Sequence, residues 1–155
     1  MRYRAYRPDD FAALYAIEEA CFQPPLRFSR AYMRRLVSSS DAATWIAEEE
    51  EGQMAGFAIV EWSGEAGARA AYIQTIEVAP EKRRLGVGAA LMRCVEQSAQ
   101  SAGARMIWLH VDAENANAIR LYEAHGYGCK GREANYYPRG RAALMYAKSL
   151  AGPEV

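Results

Sequence analysis

With 155 residues, 51% of them hydrophobic, the chain can bury one sizeable core, and dividing it would leave two marginal pieces. Its 19 Lys and Arg are matched by 19 Asp and Glu, which excludes the global basic field that nonspecific contact with nucleic acid or an anionic membrane requires. No apolar run approaches the roughly 20 residues that span a bilayer, and the three cysteines and two histidines lack metal-ligand spacing. The expectation is a cytoplasmic protein with reduced thiols and no metal: one domain over residues 1–150, a frayed tail at 151–155, and a monomer or homodimer.

A short strand around Tyr3 to Tyr6 precedes Pro8-Asp9-Asp10, where proline and acidic residues open a helix bearing Phe11, Leu14, Tyr15 and Ile17. Pro24-Pro25 breaks the chain, and Ser29 can cap a second helix with Tyr32, Met33, Leu36 and Val37 on its apolar face. Strands follow at Thr44 to Ala47 and Met54 to Trp62. The next strand, Tyr72 to Val78, changes phase: Ile73 and Thr75 share one parity, Ile76 and Val78 the other, as one extra residue near its middle would cause. Val87, Leu91, Cys94, Val95, Ser98 and Ala102 mark the buried face of a helix that ends before Gly103. Met106 to Val111 reads as a strand buried on both faces. A helix with Ala118, Ile119 and Tyr122 stops at Gly126, and strands around Tyr127 to Arg132 and Ala142 to Lys148 close the chain. The alternation of strand and helix from Tyr72 to Gly131 predicts an α/β sheet with a parallel crossover at its centre.

Between the phase-shifted strand and its helix lies Arg83-Arg84-Leu85-Gly86-Val87-Gly88-Ala89. Glycines at a helix N-terminus let backbone N–H groups approach an anion such as a pyrophosphate, although an ordinary glycine turn has the same spacing. A Rossmann fingerprint would need glycine at Leu91, and a P-loop would need a lysine-serine or lysine-threonine pair that is absent. Further on, Asn115 and Tyr122 are two helical turns apart and can face one cleft, or Tyr122 can be a packed core tyrosine.

These residues resemble the GNAT superfamily of N-acetyltransferases. Arg83 to Gly88 matches its phosphate loop, and Asn115 to Tyr127 matches its Asn-x-x-Ala-x-x-x-Tyr-Glu-x-x-Gly-Phe signature with Tyr127 for the phenylalanine. The resemblance implies a GNAT fold: a central mixed, mostly antiparallel sheet, flanked by helices, with a splayed pair of parallel strands. It also implies acetyl-CoA as cofactor, held by Ile76, Val78, Arg83, Arg84, Leu85, Gly86, Val87, Gly88, Ala89, Asn115 and Tyr122. Val78 would offer a backbone N–H to the thioester carbonyl, and Tyr122 would protonate the departing thiolate.

Four stretches resemble the branch of that family that acetylates protein N-termini: Cys21-Phe22 with its prolines, Tyr72 to Ile76, Trp108 to Val111, and Asn135 to Pro138. By that resemblance Tyr136 and Tyr137 form a loop over the substrate, Phe22 and Tyr72 line its pocket, and His110 with Tyr72 deprotonates the amine through water. Bacterial members carry glutamate where His110 stands and acidic residues at Arg141-Ala142, so the loop here, with Arg139 as well, looks turned from acidic to basic. The reading that follows is acetyl transfer to a primary amine, foremost a protein or peptide N-terminus, by direct attack in a ternary complex. Acetylation of a polyamine, amino acid or antibiotic, and a noncatalytic acyl-CoA binding module, are the alternatives.

Overall fold

A computed structural model describes residues 1–150, and the tail expected over 151–155 lies outside the described residues. Strand β1 (Arg2–Ala5) leads through a turn of 3-10 helix at Pro8–Asp10 into α1 (Phe11–Cys21), followed by α2 (Arg30–Ser38). Then come β2 (Ala42–Glu48), β3 (Met54–Ser63), β4 (Arg69–Val78), α3 (Val87–Ser101), β5 (Ala104–Asp112), α4 (Ala116–Ala124), β6 (Gly128–Tyr137) and β7 (Arg141–Ser149). Ser29 caps α2 as its sequence position suggests, its hydroxyl accepting from the Tyr32 N–H at 3.1 Å. Gly103 and Gly126 close α3 and α4 with φ of +90° and +89°, a backbone that side chains with a Cβ rarely adopt.

The strands form one sheet in the order β1-β2-β3-β4-β5-β7-β6, antiparallel except where β4 runs parallel to β5. Two cores follow from the two faces. Phe11, Leu14, Ile17, Met33 and Leu36 pack on Ile46, Phe57 and Ile59 beneath α1 and α2. Val87, Leu91, Met92, Val95 and Ala99 pack on Ala58, Val60, Ile73, Ile107 and Leu109 beneath α3. Among the described residues no helix is long and apolar enough to cross a membrane.

Three expectations need correction. The buried face of α3 includes Met92 and Ala99, while Cys94 and Ser98 stand at its margin and are only half-buried, Ser98 accepting from the Trp45 indole at 2.8 Å. β5 is not buried on both faces: Ile107, Leu109 and Val111 are covered by α3, whereas Met106, Trp108 and His110 are half-exposed on the other side. The segment Asn135-Tyr136-Tyr137 is no free loop but the end of β6, which regains register at Tyr137↔Arg141.

Candidate active site

The phase change in β4 is a bulge. Ile59 pairs with Thr75 and Val60 with Ile73, leaving Gln74 as the extra residue. Upstream of it β4 and β5 pair from Arg69↔Ala104 to Tyr72↔Trp108, and their pairing ends there. Past that point the parallel strands diverge, with Ile76 and Val78 on one lip of the opening and Leu109 to Asp112 on the other. Ala79 donates its N–H to Ala55 O on the β3 side at 2.8 Å. Since successive N–H groups alternate sides along a strand, the Val78 N–H is turned toward the opening.

The chain from Val78 returns through a 3-10 turn at Pro80–Lys82 to Arg84 and Gly86, both left-handed with φ of +68° and +78°. The first bond of α3 runs from the Ala90 N–H to Gly86 O, so Val87, Gly88 and Ala89 precede it with N–H groups that have no intrahelical partner. A Cβ built on Gly86 would meet nothing within 4 Å, and Leu85 is 66% exposed, so the concavity is open to a ligand. Converging N–H groups, two left-handed kinks either side of Leu85 and the positive end of a 15-residue helix fit a pyrophosphate. Two of the expected contacts are otherwise engaged. The Arg83 guanidinium turns back to Val78 O at 3.2 Å and Cys21 Sγ at 3.5 Å. Asn115 Oδ1 caps α4 by accepting from the Ala118 N–H at 3.1 Å.

On the face of the sheet beneath α1 and α2, Tyr72 and His110 meet at the point of divergence. The Tyr72 hydroxyl lies 2.6 Å from His110 Nδ1, and His110 Nε2 lies 3.1 Å from Glu133 Oε1. Tyr136 stacks flat on the imidazole, ring centroids 4.5 Å apart and planes at 8°, and Tyr137 packs edge-on against Tyr136. Burial raises the Tyr72 pKa above that of an ordinary tyrosine, and the neighbouring Tyr136 raises it further. Tyr137 is pushed up to about 12 by burial, then by Tyr136. Tyr122 approaches from the opposite face on α4, against Tyr127, and burial alone pushes its pKa up to about 12. The opening thus has a histidine and a tyrosine on one side of the sheet and a firmly protonated tyrosine on the other.

Phe22 is half-buried as the residue closing α1, next to Cys21, whose thiol lies 3.7 Å from Val78 O. The basic loop expected at Arg139 to Arg141 is largely cancelled, because Arg141 pairs with both Asp112 and Glu114. Three cleft residues were missed. Tyr32, read as core, sends its hydroxyl to Gln74 Oε1 at 3.2 Å, and Gln74 Nε2 donates to Glu61 Oε1 at 2.8 Å. A lone glutamine in an apolar strand at a phase change was the available signal for Gln74. Glu133, in a strand exposed on both faces, carried none.

Comparison with known proteins bears on this site. A model of the acetyltransferase (GNAT) family matches residues 11–127. Streptothricin acetyltransferase of Streptomyces lavendulae is 38% identical over 98 residues, 63% of this chain and 51% of that protein. The alanine N-acetyltransferase of ribosomal protein bS18 from Escherichia coli K12 is 36% identical over 89 residues, 57% of each chain. The matches therefore span little more than half the length of these two relatives. The crystal structure of the Escherichia coli ribosomal-protein-S18-alanine N-acetyltransferase superposes with a TM-score of 0.85 at 26% identity, covering 99% of this chain and 96% of that one. Arabidopsis thaliana NAA60 in complex with acetyl-CoA gives a TM-score of 0.85 at 21% identity, over 97% and 99% of the chains.

Proposed function

The chain belongs to the GNAT acetyltransferase family, and from that premise we propose that it transfers acetyl from acetyl-CoA to the α-amine of a protein or peptide N-terminus by direct attack. The thioester supplies an activated acetyl group when bound. What this chain supplies is position and protons. The N–H groups of Val87, Gly88 and Ala89, with Arg84, would hold the pyrophosphate, and Ile76 to Val78 would line the path of the pantetheine arm along the diverging lip. The Val78 N–H faces the place where carbonyl charge develops. Tyr122 would give its proton to the leaving thiolate, and its raised pKa keeps it in the donor form into alkaline solution.

The observation that carries the reading is the Tyr72–His110 contact of 2.6 Å at the point where the strands part, opposite Tyr122. An α-amine has a reference pKa of about 8 and a lysine about 10.4. The ordinary imidazole value of about 6.5 lies closer to the first than to the second. Tyr136 and Tyr137, with Phe22 and Tyr32, frame the approach of an extended N-terminus.

The similarity to streptothricin acetyltransferase favours a second reading, a small cationic amine on the same cofactor site. Incubation with acetyl-CoA, peptides of varied first residues and a panel of small amines, followed by mass spectrometry, separates the two. Acetylation of peptide α-amines with kcat/KM above that for any small amine is the expected result. Turnover confined to small amines would overturn it.

A further inference from the structure

Glu133 belongs to no part of the machinery proposed above, yet its carboxylate lies 3.1 Å from His110 Nε2. The two residues are on different strands with β7 between them. His110 faces Met145, Asp112 faces Ala143, and Ala143 faces Glu133, so the carboxylate reaches diagonally over a strand position occupied only by a methyl group. Its face is set by a bulge: Cys129 pairs with Tyr146 and Gly131 with Met145, leaving Lys130 extra and turning Glu133 to the side of the sheet that carries Tyr72 and His110. Tyr136, from the next irregular stretch of β6, covers the imidazole flat on. Asp112, two residues along the same face of β5, is engaged with Arg141.

The partners fix the hydrogens. A carboxylate only accepts, so the proton of a neutral His110 sits on Nε2 and is donated to Glu133; Nδ1 is then bare and accepts from the Tyr72 hydroxyl. We infer that Glu133 is a positioning residue of a Tyr72–His110–Glu133 relay, in which it holds the imidazole tautomer that makes the Tyr72 oxygen the atom facing the substrate amine. The inference rests on the reading of Tyr72 and His110 as the base.

In the relay the Tyr72 oxygen takes a proton from the substrate ammonium, directly or through one water, as its own proton passes to His110 Nδ1. The resulting imidazolium keeps its Nε2–H on Glu133, whose charge offsets it. No proton is left over. Of the three on the ammonium, one stays on the amide, one replaces the proton Tyr122 gives to the thiolate, and the third leaves His110 Nδ1 to solvent through the Tyr72 hydroxyl once the product has gone, while Glu133, 46% exposed, keeps the Nε2–H and so restores the starting tautomer. Loss of the carboxylate frees Nε2, and the ring can then carry its proton on Nδ1, pointing at Tyr72, where it blocks the transfer.

Kinetics of peptide acetylation on four proteins test this: parent, Glu133→Gln, His110→Ala and the double variant, each first shown to melt as the parent does. Glu133→Gln should lower kcat about tenfold at pH 7 with the peptide KM and acetyl-CoA affinity unchanged, the low end for impaired base catalysis because water competes at a half-exposed site. In the His110→Ala background the same change should cost nothing further, since Glu133 acts only through the imidazole. A slow His110→Ala with a parental Glu133→Gln overturns the role of Glu133 and leaves the base reading standing. Equal losses from Glu133→Gln with and without His110, or a loss confined to KM, would make Glu133 a substrate contact and also overturn it. A parental His110→Ala sinks the base reading itself.

Discussion

Tyr122 keeps its proton because burial alone pushes its pKa up to about 12. Its donor form is therefore complete below that value. The alkaline limb that an ordinary tyrosine near pH 10 would impose on turnover should be absent through pH 10. Tyr122→Phe should lower kcat about a hundredfold while leaving acetyl-CoA affinity unchanged, as single-turnover rates and calorimetry would record. Equal rates where chemistry limits turnover would return Tyr122 to the core beside Tyr127. His110 stands where a second carboxylate would be poorly placed. A carboxylate there would face Glu133 across a gap now bridged at 3.1 Å, and two like charges so close repel. His110→Glu should thus be slower than the parent by about tenfold or more, and addition of Glu133→Gln should recover part of the rate. A single variant as active as the parent would show that Glu133 turns away freely.

At the scale of elements, the turn into α3 is where the two glycines divide their work. Gly86 sits at φ +78° in open space, so Gly86→Ala costs about 1 kcal/mol of backbone strain and misaims the N–H groups that follow. Gly88 has no such φ, and a Cβ there would only touch Leu121 and Val78 at 3.7 and 3.8 Å. Gly88→Ala should bind acetyl-CoA much as the parent does, while Gly88→Trp, with a ring projecting into the concavity, should abolish measurable binding by calorimetry. Retained affinity in a folded Gly88→Trp protein would place the phosphate elsewhere. This turn was legible in sequence because glycine at a helix start has few causes. The bulge in β4 was legible as well, since an apolar strand that gains one residue must shift the parity of Ile73 against Ile76. The bulges of β6 were not. That strand is exposed on both faces, so Lys130 interrupts no hydrophobic alternation and nothing in the letters marks Glu133 as facing His110. The half-open β5 failed for a related reason: Trp108 and Met106 are apolar by composition yet stand on the cleft side, where a substrate rather than a helix would cover them.

Across the whole molecule, two carboxyls that sequence gave no reason to notice tie the substrate side to the cofactor side. Glu18 of α1 and Glu77 of β4 are 1% and 3% exposed, next to the thiol of Cys21 and the strand end at Val78. Glu18 accepts the Phe28 N–H through Oε2 at 3.0 Å, and Glu77 Oε2 accepts from the Thr75 hydroxyl at 2.7 Å. The Oε1 atom of each is buried without another partner among the described residues. Burial raises the Glu77 pKa far above the carboxylate range, and the adjacent Glu18 raises it further, so Glu77 keeps its proton at neutral pH. The sign follows from proton counts: above the ordinary glutamate value of about 4.3 the folded chain binds a proton that the unfolded chain has lost. Stability from this pair is whole at lower pH and drains away as pH rises toward the folded pKa. The opposite holds at Asp10, lowered chiefly by the Arg4 guanidinium, whose contribution is present above the usual aspartate range and lost as pH falls below it. Melting temperature should therefore peak in mildly acidic solution and decline toward pH 9. Glu77→Gln replaces the buried acid proton with an amide N–H that is present at any pH. It should raise the melting temperature at pH 9 by about 2–4 °C, the shift expected for roughly 1 kcal/mol in a chain of this size, and flatten the decline. A parent whose melting temperature climbs steadily from pH 5 to 9, with the variant following the same curve, would mean that the fold does not hold Glu77 in its protonated form.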